Sequence, residues 1–513
     1  MTHPPTGCRH GSLWVFLFMI MRMLLICFFI SLCCVSANAQ IGFNKSFDFS
    51  EAGLAFSSLE YNGDHTISIY GNLINTNLKH GLLFTSFDTL GNLLDYKVEY
   101  DSLDDVFTLV YPNSFIKLAD DSGYAGVGAF LYREFGYLAI YNKDGSIQRF
   151  VEYNDPNTLT DYYIEIIELS DGFFILGDKQ LNDYHTHIFL MKTDKEGNKL
   201  WEKLYGHPTR RNGFGSIVKV NDNEYVIGGA TTTIPPFPQL VYNTSNFYVI
   251  DSLGNLKSSW TSQPSTTDMG VGYGMHRTEQ GGLIYATNEL YFGPPNNVYE
   301  RKLKVIERDS DYNIVNEQTY GTFRPSNFLR NFKKVSDGFL VLGQRVFPLP
   351  PPGIARGSML KINSNADSIW NYLDTAFTFA TNLLYDAVEL PSGSIIACGY
   401  SRTTNPLKDW AWLVKVSKDG CMDTLNCFPV SSIEAIKVEK QVKIYPNPAS
   451  DFIYLDLPEG ERAEYQLYDL TGLLIKSGLQ SDSKIDISGL PPGGYILQIR
   501  ARDRVSSKKI IKI

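Results

Sequence analysis

Two short groups of residues have the types and spacing that a metal ion requires. His185 and His187 are two residues apart, so both imidazoles would lie on one side of a strand, as zinc ligands can. Asp309, Asp311 and Asn313 have the spacing that opens a calcium-binding loop. The histidines lack a nearby third ligand, and the acidic group lacks the glycine and the distal glutamate in register. We therefore predict no metal site and interpret the second group as a turn.

No sequence motif assigns a catalytic activity. The chain has no G-x-S-x-G nucleophile elbow, phosphate-binding P-loop or H-E-x-x-H zinc motif. The S-x-D-x-G-x-x-W box of sialidases is also absent, and Asp194–Trp201 resembles it only in part. The sequence assigns no catalytic residue, predicts no cofactor and favours a binding protein over an enzyme.

Three proline-rich segments carry the best candidates for a ligand-binding surface. They are residues 231–246, 290–297 and 347–353, and each combines Pro-Pro with aromatic residues. Proline lowers the entropy cost of ordering a loop, and stiff loops with aromatic side chains suit recognition of a glycan or a peptide. The candidate residues are Phe237, Tyr291, Phe292 and Phe347. The alternative is that the prolines cap strands and the aromatic rings pack onto the protein.

A repeat with a period of roughly 50–60 residues must position these segments. Its pattern is strand, tight turn, strand, longer loop, strand, tight turn, strand. The first tight turn recurs at Asn62-Gly63, Ser122-Gly123, Asp171-Gly172, Asn223-Glu224, Gly281-Gly282, Asp337-Gly338 and Ser392-Gly393. The second recurs at Gly91-Asn92, Asp144-Gly145, Gly197-Asn198, Gly254-Asn255, Tyr312-Asn313, Ala366-Asp367 and Asp419-Gly420. Seven such units predict an all-β fold, a seven-bladed β-propeller, with the proline-rich segments on the face opposite the tight turns.

The seventh unit lacks its outer strand. After Asp419-Gly420 the chain continues to Cys421 and Cys427 instead of to an aromatic strand. Phe43–Phe49 (FNKSFDF) has the character of the outer strands, and we predict that it pairs with Trp410–Val416 and closes the ring. The predicted propeller therefore covers residues 40–427.

The residues after 441 form a second, independent all-β segment. Short apolar runs such as Phe452–Leu457 alternate with Gly, Pro, Asn and Asp. Tyr495, Leu497 and Ile499 would lie on one side of a strand. The pattern predicts a small β-sandwich of the immunoglobulin-like type.

Three motifs in this segment are diagnostic by their order and spacing: YPNPASDFIYLDL, YDLTGLLIKSG and IDISGLPPGGYILQI. They resemble the type A C-terminal sorting domain of proteins that the type IX secretion system of Bacteroidetes exports. The resemblance covers Val442–Ile513. It implies that the secretion machinery is a partner and that the protein travels through the periplasm to the outer cell surface or is secreted. The motif residues are Tyr445, Pro446, Asn447, Pro448, Gly472, Gly494 and Tyr495.

The N-terminus agrees with export. Leu24–Val35 is an apolar run that follows Arg22 and precedes small residues, which is the order of a signal peptide. We predict that residues 1–39 are removed by cleavage between Ala39 and Gln40. The run is shorter than the roughly 20 residues that span a membrane, so membrane association is expected only through surface attachment after sorting. Met21 or Met23 is an alternative start, which would leave residues 1–20 untranslated.

The net charge and the cysteines limit the expected partners and the expected covalent bonds. Residues 1–39 hold two arginines and no acidic residue, so their removal changes the net charge from −9 to −11. With no basic patch, nucleic acid is not an expected partner. In an exported protein the spacing of Cys421 and Cys427 predicts a disulfide, and two reduced surface thiols are the alternative. Cys398 lies in an apolar run and is predicted to be a packing residue.

These features predict four segments: a signal peptide (1–39), a propeller (40–427), a linker (428–441) and a sorting domain (442–513). The predicted function is a secreted or surface-delivered propeller that acts as a binding or scaffold module for a glycan or a protein. The alternative is a carbohydrate-active enzyme, a glycan hydrolase or lyase, with carboxylates in the propeller pore or on the loop face. A cluster of Asp or Glu in the pore would favour the enzyme.

Overall fold

The computed structural model describes most of residues 42–422 and 443–513. The described ranges are 42–47, 49, 53–75, 77–100, 107–108, 111–130, 135–181, 185–233, 242–263, 265, 269–272, 274–293, 298–322, 325–347, 354–374, 380–404, 407–422, 443–456, 463–469, 473–480, 484–501 and 504–513. The chain forms two compact units, one up to Ser431 and the other from Ser432. In the described part of the chain, no helix has the length and apolar character needed to cross a membrane.

The first unit contains seven antiparallel sheets, here called blades I to VII. The first strand is β1 (Phe43–Phe47). Blade I comprises β2 (Gly53–Tyr61), β3 (Thr66–Ile74), β4 (His80–Asp88) and β5 (Leu93–Tyr100). Blade II comprises β6 (Phe107–Thr108), β7 (Phe115–Lys117), β8 (Gly123–Phe130), β9 (Gly136–Asn142) and β10 (Ile147–Tyr153). Blade III comprises β11 (Thr158–Leu169), β12 (Gly172–Leu181), β13 (Thr186–Thr193) and β14 (Lys199–Tyr205).

The remaining blades repeat this order. Blade IV comprises β15 (Arg211–Asn221), β16 (Glu224–Thr233), β17 (Tyr242–Asp251) and β18 (Leu256–Thr261). Blade V comprises β19 (Met275–Arg277), β20 (Leu283–Gly293), β21 (Val298–Arg308) and β22 (Ile314–Tyr320). Blade VI comprises β23 (Ser326–Val335), β24 (Gly338–Phe347), β25 (Ile354–Ile362) and β26 (Ser368–Leu373). Blade VII comprises β27 (Ala380–Glu389), β28 (Ile395–Thr404), β29 (Leu407–Val416) and the N-terminal β1.

The N-terminal strand completes the last blade. β1 runs antiparallel to β29, with Phe43 opposite Lys415 and Phe47 opposite Ala411. This is the pairing that the sequence predicts. Seven blades whose last sheet joins both ends of the unit make it an all-β, seven-bladed β-propeller.

Asparagine and aspartate side chains shape the second tight turn in five blades. In blade V, Asp309 Oδ1 accepts hydrogen bonds from the backbone N–H groups of Asp311 and Asn313, at 2.9 Å each. The same contact, from the turn's fifth residue to the side chain of its first, recurs at Asp88, Asp194, Asp251 and Asn363. The group with calcium-loop spacing is therefore a turn, as predicted.

The apolar core lies between neighbouring blades. Trp412 of β29, with no exposed surface, packs in one cluster with Leu384 of β27 and Leu342 of the preceding blade. Cys398 is buried and free in the cluster between blades VII and I. This confirms its prediction as a packing residue.

The hairpins of blades V and VI are longer than the sequence predicts. Tyr291 and Phe292 were expected in a loop but lie in β20, and Phe347 is the last residue of β24. The reason is that backbone pairing continues past the core, as far as the pairs Gly293–Val298 and Phe347–Ile354. The predicted placement of these aromatic residues outside strands is therefore wrong.

The second unit is a small β-sandwich. Its strands are β30 (Lys443–Tyr445), β31 (Phe452–Asp456), β32 (Ala463–Asp469), β33 (Leu474–Gln480), β34 (Lys484–Asp486), β35 (Gly493–Ala501) and β36 (Arg504–Lys512). They form sheets of order β30-β31-β34 and β33-β32-β35-β36. Ile453 and Leu455 of the first sheet share a core with Leu497 and Ile499 of the second. Two sheets that enclose one core agree with the predicted immunoglobulin-like sandwich.

Candidate functional site

A layer of polar side chains lies at one level of the central channel, which the innermost strand of each blade lines. Five of these strands contain a β-bulge, and the residue after each bulge is polar. These residues are Ser58, Glu165, Ser216, Asn331 and Asp386. A bulge bends its strand and changes the direction in which side chains point. The repeated bulge therefore places a polar ring around the propeller axis.

Asp386 joins three neighbouring blades within this layer. Its Oδ2 accepts hydrogen bonds from Ser58 Oγ at 2.9 Å and from the backbone N of Leu59 at 3.1 Å, both in blade I. Its Oδ1 accepts one from Asn331 Nδ2 of blade VI at 2.9 Å. The carboxylate is buried, and both of its oxygens accept hydrogen bonds. It therefore links blade VII, where the ring closes, to blades I and VI on either side.

A pair of asparagines bridges the channel. Asn113 precedes the innermost strand of blade II, and its Nδ2 donates to Asn331 Oδ1 at 3.2 Å. Blades II and VI are three positions apart in a ring of seven, which is the largest separation the ring allows. Asn113 holds a backbone φ of 67°, a left-handed conformation that asparagine tolerates better than most residues. These two side chains form a floor across the channel.

Ionisable groups surround this floor. Lys333 Nζ lies 3.1 Å from Asp386 Oδ1, and this carboxylate together with Glu60 raises the pKa of Lys333 against the effect of burial. Burial raises the pKa of Glu60 to about 7, and it does the same for Glu165. Glu165 accepts hydrogen bonds from Ser216 Oγ at 3.1 Å and from the backbone N of Ile217 at 3.3 Å, which join blades III and IV. The channel thus holds three carboxyl groups beside one ammonium group.

Partly exposed tyrosines surround the channel above the Asn113–Asn331 floor, on the side where the innermost strands begin. We define the channel mouth as Tyr111, Tyr162, Arg330, Tyr385 and Tyr400. Each of the first four precedes a residue of the polar layer or floor in its own blade, so it lies toward the end where the innermost strands begin. That end carries the second-to-third strand hairpins, where the proline-rich segments are.

The pKa shifts show that these side chains converge. Burial raises the pKa of Tyr111, and Asp178, Tyr162 and Tyr385 raise it further while Arg330 opposes them. Burial also raises the pKa of Tyr385 to about 12, with Tyr400 adding to the effect. The rings of Tyr385 and Tyr400 lie 6.0 Å apart. Residues from blades II, III, VI and VII therefore meet around one opening.

Two arginines stand at this opening. The guanidinium carbon of Arg301 lies 4.3 Å from the ring centre of Phe328, a cation–π distance. Burial lowers the pKa of Arg301, and the nearby charge of Arg330 lowers it further. The Nε atoms of both arginines are buried and have no hydrogen-bond partner among the described residues.

The structure leaves the predicted aromatic surface untested. Phe237 lies outside the described residues, and so do the positions of the Tyr291 and Phe292 side chains. Phe347 is half-buried at the end of β24. The proposal that the four aromatic residues act together stays a prediction.

The other predicted sites are described only in part. His187 is buried within β13, and His185 directly precedes that strand. The described residues contain no group of three or more His, Cys, Asp or Glu side chains that could hold a metal ion. Cys421 is buried, whereas Cys427 lies outside the described residues and the disulfide stays a prediction. Ala39 and Gln40 also lie outside them.

The motif residues of the C-terminal sandwich connect its first loop to its last strand. Asn447 Nδ2 donates to the backbone O of Lys509 at 2.8 Å, and its Oδ1 accepts from the backbone N of Ile511 at 2.8 Å. The ring of Tyr495 is buried, and its hydroxyl donates to the backbone O of Pro491 at 2.8 Å. Tyr445 is 54% exposed beside Tyr454. Pro446, Pro448 and Gly494 lie in the described part of the motif, and Gly472 does not.

The family comparison decides what this unit is. Residues 443–513 match the model of the secretion system C-terminal sorting domain. The chain ends in a sorting domain of type IX secretion cargo. This sorting domain directs the protein to the cell surface or the medium and makes the type IX machinery its partner.

The propeller resembles solved structures only distantly. The β-propeller domain of the Trilobed protease from Pyrococcus furiosus is 10% identical, with a TM-score of 0.39 over 71% of this chain and 95% of that one. An α-L-arabinofuranosidase from Fusarium graminearum is 10% identical, with a TM-score of 0.39 over 62% and 97%. An ulvan lyase bound to a sugar fragment is 8% identical, with a TM-score of 0.42 over 74% and 97%. These scores carry no argument about activity. No curated protein sequence matches the chain.

Sequence reasoning missed the polar layer, but a repeated glycine marks it. A Cβ on Gly343 would lie 1.9 Å from the backbone O of Phe328, and one on Gly399 would lie 1.8 Å from that of Leu383. Glycine is needed there because the bulged innermost strand approaches the second strand closely. A glycine in the middle of the second strand, at the end of its apolar run and followed by a polar or aromatic residue, is the signal that locates the level of the channel site.

Proposed function

We propose that this exported propeller is a glycan-binding module and that its ligand sits in the channel mouth. The observation that carries the proposal is the convergence of Tyr111, Tyr162, Tyr385 and Tyr400 around one opening. Tyrosine offers an apolar ring face for stacking and a hydroxyl for hydrogen bonding, and it loses little conformational entropy on binding. The floor of Asn113 and Asn331 adds amide groups beneath the rings.

A carbohydrate-active enzyme is the second candidate. Two observations favour it: the channel holds the three carboxyl groups of Glu60, Glu165 and Asp386, and burial raises the pKa of Glu60 and Glu165 to about 7, which suits a general acid or base near neutral pH. Against it, Glu165 and Asp386 use their oxygens to join neighbouring blades. Glu165 also belongs to the layer of the floor, not to the mouth. Binding is therefore the better supported function.

Glycan-array binding by the exported protein, run beside hydrolysis and elimination assays on the same glycans, tests the proposal. We expect binding without turnover. Replacing Tyr162 or Tyr385 by Ala should weaken binding about thirtyfold, because aromatic anchors commonly contribute roughly 2 kcal/mol each. Replacing Tyr96, an exposed tyrosine of the outer strand of blade I, is the matched control.

Three outcomes would count against it. Turnover of a bound glycan that Glu165→Gln abolishes would support the enzyme instead. Binding that survives both tyrosine changes but fails when Phe237, Tyr291, Phe292 and Phe347 are all replaced by Ala would move the site to the loops. The absence of any glycan ligand would overturn the proposal as a whole.

A further inference from the structure

Arg301 lies close to Arg330 of the channel mouth, and the two guanidinium groups carry like charges. Arg301 belongs to the third strand of blade V, and Arg330 is the bulged residue of β23 in blade VI. They lie close enough for Arg330 to lower the pKa of Arg301. In the described part of the protein, the Nε atom of each arginine is buried without a hydrogen-bond partner, and neither guanidinium group forms an ion pair with a described carboxylate.

Other arginines of the same region are paired. Arg345 Nε donates to Asn327 Oδ1 at 3.1 Å. Arg402 binds both carboxylate oxygens of Asp409, at 2.6 and 2.7 Å. The hydrogen bonds of Arg345 and Arg402 show that this end of the propeller does provide hydrogen-bond acceptors for arginine. The two unpaired guanidinium groups are therefore a local feature of the mouth.

Both guanidinium groups are half-buried with a buried Nε atom, and arginine cannot relieve the cost of this partial burial by losing its proton. Such a cation is usually stabilised by an anion that accepts hydrogen bonds from the guanidinium group. Two oxygens of a carboxylate or a sulfate have the spacing to accept from two of its N–H groups at once. The overall charge of −9 does not attract anions to the protein. An anion bound here would therefore be held by local cations such as these two residues and not by the charge of the whole protein.

We propose that Arg301 and Arg330 bind the carboxylate or sulfate group of an acidic glycan. The inference rests on the proposed function and names the ligand class of that site. Gln344 supports a sugar because its Oε1 is buried without a partner among the described residues. Gln344 pairs with Phe328 across strands, so both side chains lie on the face of the sheet where Arg301 stacks. A sugar hydroxyl could donate to this oxygen while the acid group meets the arginines.

The first experiment uses the unmodified exported protein. Binding is measured for uronic acid oligosaccharides, the same oligosaccharides after reduction of their carboxyl groups, sulfated glycans, their desulfated forms, and acidic peptides. We expect the acidic glycan to bind at least about tenfold more tightly than its neutral counterpart, with an advantage that falls as salt rises. Comparing each acidic glycan with its reduced or desulfated form shows whether the protein recognises a carboxylate or a sulfate.

The second experiment uses Arg301→Gln and Arg330→Gln. Each should remove the preference for the acidic glycan and should raise the melting temperature of the ligand-free protein, because it removes repulsion between two half-buried cations. Arg149→Gln, an exposed change of the same charge on the outer strand of blade II, is the control and should do neither. If either Gln variant folds poorly, Arg330→Lys replaces it in the experiment. This change keeps the positive charge but removes the planar guanidinium group that can donate two parallel hydrogen bonds.

The outcomes separate this inference from the proposed function. Equal binding of acidic and neutral glycans, or an acidic preference that both Gln variants retain, would overturn the anion site and leave glycan binding intact. Exclusive binding of acidic peptides would overturn both proposals. A lower melting temperature in both Gln variants would show that the arginines have partners that hold the fold together.

Discussion

At the scale of single residues, burial controls three carboxyl groups of the propeller. It raises the pKa of Glu60 and Glu165 to about 7, and that of Asp161 in blade III to about 7 as well. A carboxyl group with a raised folded-state pKa favours folding while it is protonated. Its contribution is complete below about pH 4 and is lost as the pH rises to about 7. The propeller should therefore be more stable in mild acid than at pH 8.

The variant Glu165→Gln tests this account. Its amide cannot ionise, so the loss of unfolding free energy between pH 4.5 and 8 should be smaller than in the parent protein. Chemical denaturation across that pH range gives the measurement. Glu99→Gln, on the exposed outer strand of blade I, should leave the slope unchanged. An unaltered slope in Glu165→Gln would mean that this carboxyl group ionises normally.

At the scale of elements, one strand connects three blades. β1 supplies Asn44, whose Oδ1 accepts from Trp412 Nε1 at 2.6 Å and whose Nδ2 donates to Asp374 Oδ1 of blade VI at 2.8 Å. Lys45 Nζ donates to the backbone O atoms of Leu90 and Gly91 in blade I, at 2.9 and 3.0 Å. The closure therefore depends on side chains as well as on backbone pairing.

Deletion of residues 40–50 should lower the melting temperature of the whole propeller. It removes the buried Phe43, at a cost of roughly 1.5–3 kcal/mol, together with the partly buried Phe47, and leaves β29 as an open edge. Calorimetry of the two proteins provides the comparison, with a protein that starts at Gln40 as the reference. Identical melting curves would show that the ring holds without this strand.

The strands and turns could be predicted because their determinants are local. Turns such as Asp171-Gly172 depend on residues that are adjacent in the chain, and the repeat shows the same chemistry seven times. The floor of the channel could not be predicted, because Asn113 and Asn331 are 218 positions apart. Neither residue has a spacing or neighbour that distinguishes it from a surface asparagine.

At the scale of the whole molecule, transport and the proposed ligand binding belong to different parts of the chain. The sorting domain has its own core, and the propeller has its own closed set of blades. The motif residue Asn447 serves the fold of the sorting domain by holding its last strand. Each part can therefore be removed without taking core residues from the other.

Removal of residues 442–513 should block export and leave the propeller intact. In a host with a type IX system, we expect the truncated protein to remain in the periplasm and to keep the melting temperature of the full protein's propeller. Surface labelling and fractionation measure the first effect, and calorimetry the second. Surface display of the truncated protein would contradict the role of the sorting domain.

The closure by β1 also fixes an order in time. A ribosome releases Asn44 early and Trp412 late, since 368 positions separate these two partners. Until β29 has emerged, β1 has no strand to pair with, and Phe43 and Phe47 lack the half of their core that blade VII supplies. The ring can thus be completed only after β29 has been made, and a translation product interrupted before Leu407 cannot close at all.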